Sequence, residues 1–324
     1  MRYLIGWMRL AMAAGLLCFG AQAPAAERYP QRTVRIVVSL PPCRGADTTA
    51  RFIARHLSQS LGQPFVVENR PGANSFIAAR AVAEAAPDGY TLFVASNSPM
   101  VTNAAVFRQL PYDPVKDFAP VAGLARFPMV LVVPAGSPHA TLQQLVAAVR
   151  SAPGKLNYAS GTPTYQVAME RFHARNGIKA TAVPYKGTGP AVTDLAAGVV
   201  EYSIAEVSAV LPLIRSGKLR ALAVASAERH KSLPEVPTVA EAGTPDFESY
   251  AWTGVFFPAG VPAPIVQRVS AAVRSVMTGN EGRAFIDSQG GTVFTGTPEE
   301  LRRFQLAEIE STRLIVQAAN IPIE

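Results

Sequence analysis

Short β-branched runs alternate with helix-period segments through almost the whole chain, and this alternation constrains the fold more than any other feature. Val34–Val38, Phe65–Val67, Leu92–Ala95, Val130–Val133, Ala182–Pro184, Tyr202–Ala205, Leu219–Val224 and Val255–Phe257 read as buried strands. Between the first two, Ala46, Ala50, Ile53, Leu57 and Leu61 recur at spacings of three and four, which is one apolar helix face. Thr141 with Gln144 reads as a capping box ahead of Leu145 and Val149, and Pro153-Gly154 ends that helix. Thr297, Pro298 and Glu300 open a long last helix with Leu301, Phe304, Glu308, Thr312 and Val316 along one face. Such alternation predicts an α/β protein with mostly parallel sheets covered by helices on both faces. At 324 residues the chain has room for two domains, yet no repeat or low-complexity linker separates them. The boundary must therefore cross within strands or tight loops, near 125–130 and 250–254.

The first 26 residues read as a secretory signal. Arg2 and Arg9 form a basic start, Leu10–Gly20 is an unbroken apolar run, and Ala21, Ala23, Ala25 and Ala26 supply the small residues of a cleavage region. The run is too short for a bilayer, which needs roughly 20 apolar residues, and Leu17 is too bulky for a lipoprotein signal at Cys18. The mature chain is expected in the periplasm, without membrane insertion. Losing Arg2 and Arg9 lowers the formal charge from +7 to +5. That modest excess attracts small anions, while the scattered lysines and arginines argue against nucleic acid. Of the two cysteines only Cys43 survives cleavage, so no internal disulfide is expected and a 49% hydrophobic chain relies on its core.

Ligands of such sheets bind beyond the carboxyl ends of the strands, where helix starts present free N–H groups. Those positions are polar and small here. The first strand runs into Ser39 through Asp47 (Ser-Leu-Pro-Pro-Cys-Arg-Gly-Ala-Asp), with a helix beginning near Gly45. Ser96-Asn97-Ser98 follows the third strand, and Tyr158-Ala159-Ser160-Gly161-Thr162-Pro163-Thr164 precedes another helix. Pro184-Tyr185-Lys186-Gly187-Thr188-Gly189 makes a fourth such turn. Any one loop reads equally well as capping and turn chemistry; four together point to a shared anion site. Enzyme signatures are poor: no nucleophile elbow, P-loop or zinc-binding His-Glu pair occurs, and Val192 stands where a dinucleotide fingerprint would need glycine. The four histidines have no ligand spacing, so neither a metal nor a cofactor is expected. Cys43 beside a helix start reads either as a lowered-pKa nucleophile or as a small turn residue.

At these loops the chain resembles the periplasmic solute receptors of tripartite tricarboxylate transporters, the Bug proteins. The resemblance spans the mature chain. It rests on Leu61-Gly62-Gln63-Pro64, on Val66-Val67-Glu68-Asn69-Arg70-Pro71-Gly72-Ala73 and on Ala86-Pro87-Asp88-Gly89-Tyr90-Thr91-Leu92. Leu110-Pro111-Tyr112-Asp113-Pro114, Pro153-Gly154-Lys155-Leu156-Asn157-Tyr158, Val183-Pro184-Tyr185-Lys186-Gly187 and Pro237-Thr238-Val239-Ala240-Glu241-Ala242-Gly243 extend it. It implies a two-lobed type II periplasmic-binding (Venus flytrap) fold with crossover hinge strands. The lobes would be residues 27–128 with 251–324, and 129–250, because Met129–Val133 restarts the strand pattern after an irregular Pro111–Ala122 stretch.

The resemblance also implies a ligand carboxylate held between the lobes. Pro42, Cys43, Arg44, Gly45, Ala46 and Asp47 with Ser96, Asn97 and Ser98 would face it from one lobe. Ser160, Gly161, Thr162, Thr164, Tyr185, Gly187, Ala205 and Glu206 would face it from the other. Three departures stand out. Cys43-Arg44 replaces the usual pair of glycines, the Gly161–Gln166 loop is shorter, and Ala205-Glu206 stands where aspartate is common. Asp47 is expected to steady its loop by accepting backbone N–H bonds in the first helical turn. Arg44 either pairs a carboxylate directly or only raises the local potential. The implied activity is non-enzymatic: a monomeric receptor closes on a small organic acid and delivers it to membrane transporter subunits. The rivals are an exported α/β enzyme acting on a carboxylate through Cys43 or Asp47, and a sensor subunit docking on a signalling partner.

Overall fold

One long strand that pairs in both sheets organises the molecule. The computed structural model describes residues 29–42 and 45–323; the signal, Cys43 and Arg44 lie outside the described residues. The first lobe begins β1 (Val34–Val38), α1 (Gly45–Leu61), β2 (Phe65–Asn69), α2 (Phe76–Ala83) and β3 (Thr91–Ser96). A π turn over Ser98–Thr102 and the short α3 (Asn103–Val106) follow, before β4 (Phe118–Pro134) leads into the second lobe. That lobe comprises α4 (Leu142–Ser151), β5 (Asn157–Ser160), α5 (Pro163–Asn176), β6 (Thr181–Pro184), α6 (Thr188–Ala196), β7 (Tyr202–Glu206), α7 (Val207–Arg215) and β8 (Leu219–Val224). The chain returns through β9 (Tyr250–Pro258) to α8 (Ala263–Thr278), α9 (Asn280–Ser288), β10 (Thr292–Val293) and α10 (Pro298–Ala318).

The first sheet has the order β2-β1-β3-β9-β4 with β10 on β4, and the second the order β4-β7-β5-β6 with β8 on β4. β1 pairs parallel with β2 and β3, as β5 does with β6 and β7. Every pairing made by β4 or β9 is antiparallel. The sheets are therefore mixed rather than mostly parallel, because the two crossover strands run against their neighbours. β4 pairs with β9 as far as Pro128 and with β7 from Met129 onward. The Met129 N–H donates to the Ser249 carbonyl at 2.9 Å, stitching the two crossings together.

Three strand expectations need correction. Residues Phe118–Ala122 are not irregular but open β4, whose alternation is masked because the strand is buried on both faces. Phe65–Val67 and Ala182–Pro184 are only partly buried, since β2 and β6 are the edges of their sheets; Val66 is 52% exposed. The helix signals hold with one change. Thr141 Oγ1 accepts from the Gln144 N–H, but the Gln144 side chain accepts from Ala140 N–H, one residue before the cap. At Thr297 and Glu300 the reciprocal box is complete. α1 buries Ala50, Ile53 and Leu57 completely, as its spacing requires. The cores on the two faces of the first sheet are separate from the second-lobe core, which gathers Met129–Val133, Tyr158, Phe172, Tyr202 and Ala223.

Candidate functional site

The loops after β5, β6 and β7 are drawn together tightly. Ser160 Oγ donates to the Thr162 carbonyl, and Thr162 caps α5 by accepting from the Tyr165 N–H. Tyr185 donates its backbone N–H to the Ser160 carbonyl at 2.8 Å, and its hydroxyl bonds Asp194 Oδ2 on α6 at 2.9 Å. Gly161 must be glycine: a Cβ there would lie 2.8 Å from Thr188 Cα and 3.0 Å from its nitrogen, both backbone atoms. Gly187, before α6, has φ of 118°, a region that side chains strain to adopt. Absent side chains thus shape this half of the site.

Glu206 ends β7 and stands at the N-cap position of α7 without a capping side-chain bond. Burial pushes its carboxyl above the ordinary value, against the pull of hydrogen bonds from Tyr165 and Ser208. The buried Tyr165 hydroxyl is pushed up in turn, first by its own burial and then by the Glu206 charge. Ala205 is 1% exposed in the second-lobe core, because its alternate position on β7 faces inward.

The first-lobe side is held by polar side chains. Asp47 is fully buried in the first turn of α1. Asn69 Nδ2 donates to its Oδ1 at 2.8 Å and Arg51 Nε to its Oδ2 at 3.1 Å. Asn69 Nδ2 also reaches the Leu40 carbonyl at 2.9 Å, so the end of β2 is tied to both sides of the loop after β1. Pro42 is exposed, Gly45 half-buried, and Ala46 packs into the core. Ser96 closes β3 opposite Thr253, Asn97 is buried, and Ser98 starts the π turn. An i+5 turn of this kind is rare and concentrates at functional sites.

The two halves meet at hydroxyls. Thr164 Oγ1 lies 3.0 Å from Ser98 Oγ and 2.9 Å from Thr102 Oγ1. Beside them Val167 of α5 packs against Ala105, Val106, Val316 and Ile321 of the other lobe. Thr102, Thr188, Tyr165 and Asn69 are the residues that loop reading missed. Thr188 and Asn69 stood in recognisable blocks, but only the pairing of β1 with β2 and the approach of β5 to α6 give them a role. Among the described residues no group of three His, Cys, Asp or Glu is placed to hold a metal, and no helix is long and apolar enough to cross a membrane.

Comparison with known proteins agrees with this architecture. The chain is 37% identical over 295 residues to the protein BugT of Bordetella pertussis, covering 90% of each. Among solved structures it is similar to Rpa4515 of R. palustris with adipate (35% identity, TM-score 0.84, 91% of this chain and 99% of that one). It is also similar to MatC of Rhodopseudomonas palustris with bound malate (35% identity, TM-score 0.78, 89% and 100%). Residues 49–321 match the model described as tripartite tricarboxylate transporter family receptor. With a family model matching residues 49–321 and a relative 37% identical over 90% of each chain, the chain belongs to the receptor family of the tripartite tricarboxylate transporters.

Proposed function

We propose that this protein is a periplasmic receptor that captures a small carboxylate between its lobes and releases it to a membrane transporter, without chemical change to the ligand. The observation that carries this reading is the Ser98–Thr164–Thr102 seam, where hydroxyls from both lobes converge beside two helix starts. Hydroxyls and backbone N–H groups suit a carboxylate, which accepts hydrogen bonds only. The binding of adipate and malate by relatives 35% identical to this chain supports that ligand class. Closure follows from differential affinity: a ligand touching both lobes favours the state in which they meet. In this reading the lobes are residues 27–128 with 251–324, and 129–250, and the ligand-facing groups are those of the loops after β1, β3, β5, β6 and β7.

Calorimetry with adipate and malate tests the proposal, followed by mass spectrometry of the recovered acid. Saturable binding with the acid recovered intact is expected. A product of altered mass, or the absence of binding by every small dicarboxylate, overturns it. Arg44→Gly then separates two roles for that side chain. Direct pairing costs about 2–5 kcal/mol of binding when one partner is removed, whereas a rim charge changes mainly on-rate and salt dependence.

A further inference from the structure

The loop that follows β8 touches the first lobe. Leu233 and Val236 anchor it in the second-lobe core. Within it His230 is buried, and its Nε2 lies 2.8 Å from the Gly290 carbonyl oxygen. Gly290 belongs to the first lobe: the next residue, Gly291, donates its N–H to the Ile286 carbonyl of α9, and Thr292 pairs with Arg126 of β4. We propose that His230 is a proton-sensitive latch between the lobes: the neutral imidazole holds them in the arrangement that forms the Ser98–Thr164 seam, and the imidazolium releases them.

The hydrogen bonds of the ring carry this assignment. The Gly290 carbonyl can only accept, so Nε2 bears the hydrogen. The Ser232 backbone N–H can only donate, and it lies 3.1 Å from Nδ1, so Nδ1 bears none. One neutral tautomer therefore uses both ring nitrogens. A proton added at Nδ1 sets N–H against N–H in a buried place, where an unmet donor is costly. The ring has little room to turn in place, because a Cβ on Gly290 would already lie 3.4 Å from its Cε1 and Nε2. Relief comes from moving the loop, and that breaks the bond to Gly290.

The surrounding charges do not rescue the imidazolium. Arg126 of β4, Arg229 and Lys231 of the loop, Glu228 beside them, Tyr250 of β9 and Asp287 of α9 line the same cavity as His230. Asp287 is paired with Lys231 at 2.7 Å, and Arg229 with Glu241 at 2.9 Å. Among the described residues both ring nitrogens bond backbone groups, so no carboxylate waits for the new proton. The Lys231–Asp287 pair also joins the lobes, but its side chains are 81% and 53% exposed, and pairs so exposed hold little.

The latch and the hydroxyl seam exist in one arrangement of the lobes, so losing either weakens that arrangement. The joined state excludes the proton and the parted state accepts it, so parting grows as pH falls. The inference rests on the reading that the lobes hinge, and it needs no ligand.

Small-angle X-ray scattering of the ligand-free protein at about pH 8 and pH 5, a range that spans histidine titration, tests it. His230→Gln keeps an N–H donor for Gly290 at every pH, and His230→Ala removes it at every pH. The wild type is expected to have a larger radius of gyration at pH 5 than at pH 8. His230→Gln should stay compact at both, and His230→Ala should be expanded at both. One hydrogen bond changes the ratio of joined to parted lobes by about two- to tenfold. A wild-type radius that is the same at both pH values overturns the proposal. So does expansion of His230→Gln in acid, because Glu206 and every other titrating group remain in that variant. If His230→Ala does not fold, the wild type and His230→Gln decide the matter by themselves. Adipate is absent throughout, so failure here leaves the calorimetric test of carboxylate capture untouched.

Discussion

The two halves of the cleft are built by opposite means. The first-lobe loop is fixed by added groups: a buried carboxylate at Asp47, the amide of Asn69 and the carbonyl of Leu40 form one tied corner. The second-lobe loops are fixed by subtraction, with Gly161 letting α6 approach to backbone contact and Gly187 taking a φ of 118°. A polar corner loses one or two hydrogen bonds when altered and can rearrange. A backbone contact cannot yield without moving an element. The second lobe is therefore the less tolerant half.

The largest test of this contrast is Gly161→Val. Its Cβ must displace the start of α6, at a cost of about 2–3 kcal/mol, and adipate binding should fall with stability in a urea titration and parallel calorimetry. Asp47→Ala comes next. Removing a buried acceptor costs about 1–3 kcal/mol, and because Asn69 keeps its Leu40 bond the lower half of that range is expected. Should Asp47→Ala damage binding more than Gly161→Val, the contrast is reversed and the first lobe is the stricter half.

Glu206 sharpens the comparison through pH. Its carboxyl is raised by burial, so the folded protein holds that proton to higher pH than the unfolded chain does. The stability linked to this proton is present at low pH and lost as pH rises through the raised value. Beside an anion the sign is the same: protonation removes a repelling charge. Adipate affinity should therefore rise as pH falls through the raised value, and Glu206→Gln should flatten that profile near its acid limit. A profile that Glu206→Gln leaves unchanged would show that Glu206 does not face the ligand. The smallest effect is expected from Thr164→Val. It removes two hydroxyl contacts to the other lobe, each worth about 0.5–1.5 kcal/mol at most, and their three-way sharing lowers the net to about 1 kcal/mol. Denaturation midpoints with and without adipate measure it, and a larger loss in the presence of ligand is the expected pattern.

Much of this molecule was legible from residue order alone. Val34–Val38 and Leu219–Val224 were read to the residue, because short β-branched runs bounded by turn residues have one local solution. The box at Thr297 and Glu300 is a local hydrogen-bond pattern, so the start of α10 was equally plain. The polar loops after the strands were identifiable too, since hydroxyls and glycines after strands are local signals. Tertiary structure alone decided what depends on which strands are neighbours. It made β4 a single strand from Phe118 to Pro134, buried on both faces and so without alternation. It sent Ala205 into the core while leaving Glu206 at the mouth of β7. It joined Asp47 to Asn69, and Thr164 to Ser98 and Thr102, across 22, 66 and 62 residues of chain. Local sequence fixes backbone preference over a few residues; contacts between distant residues depend on sheet order and register, to which each strand contributes only one edge.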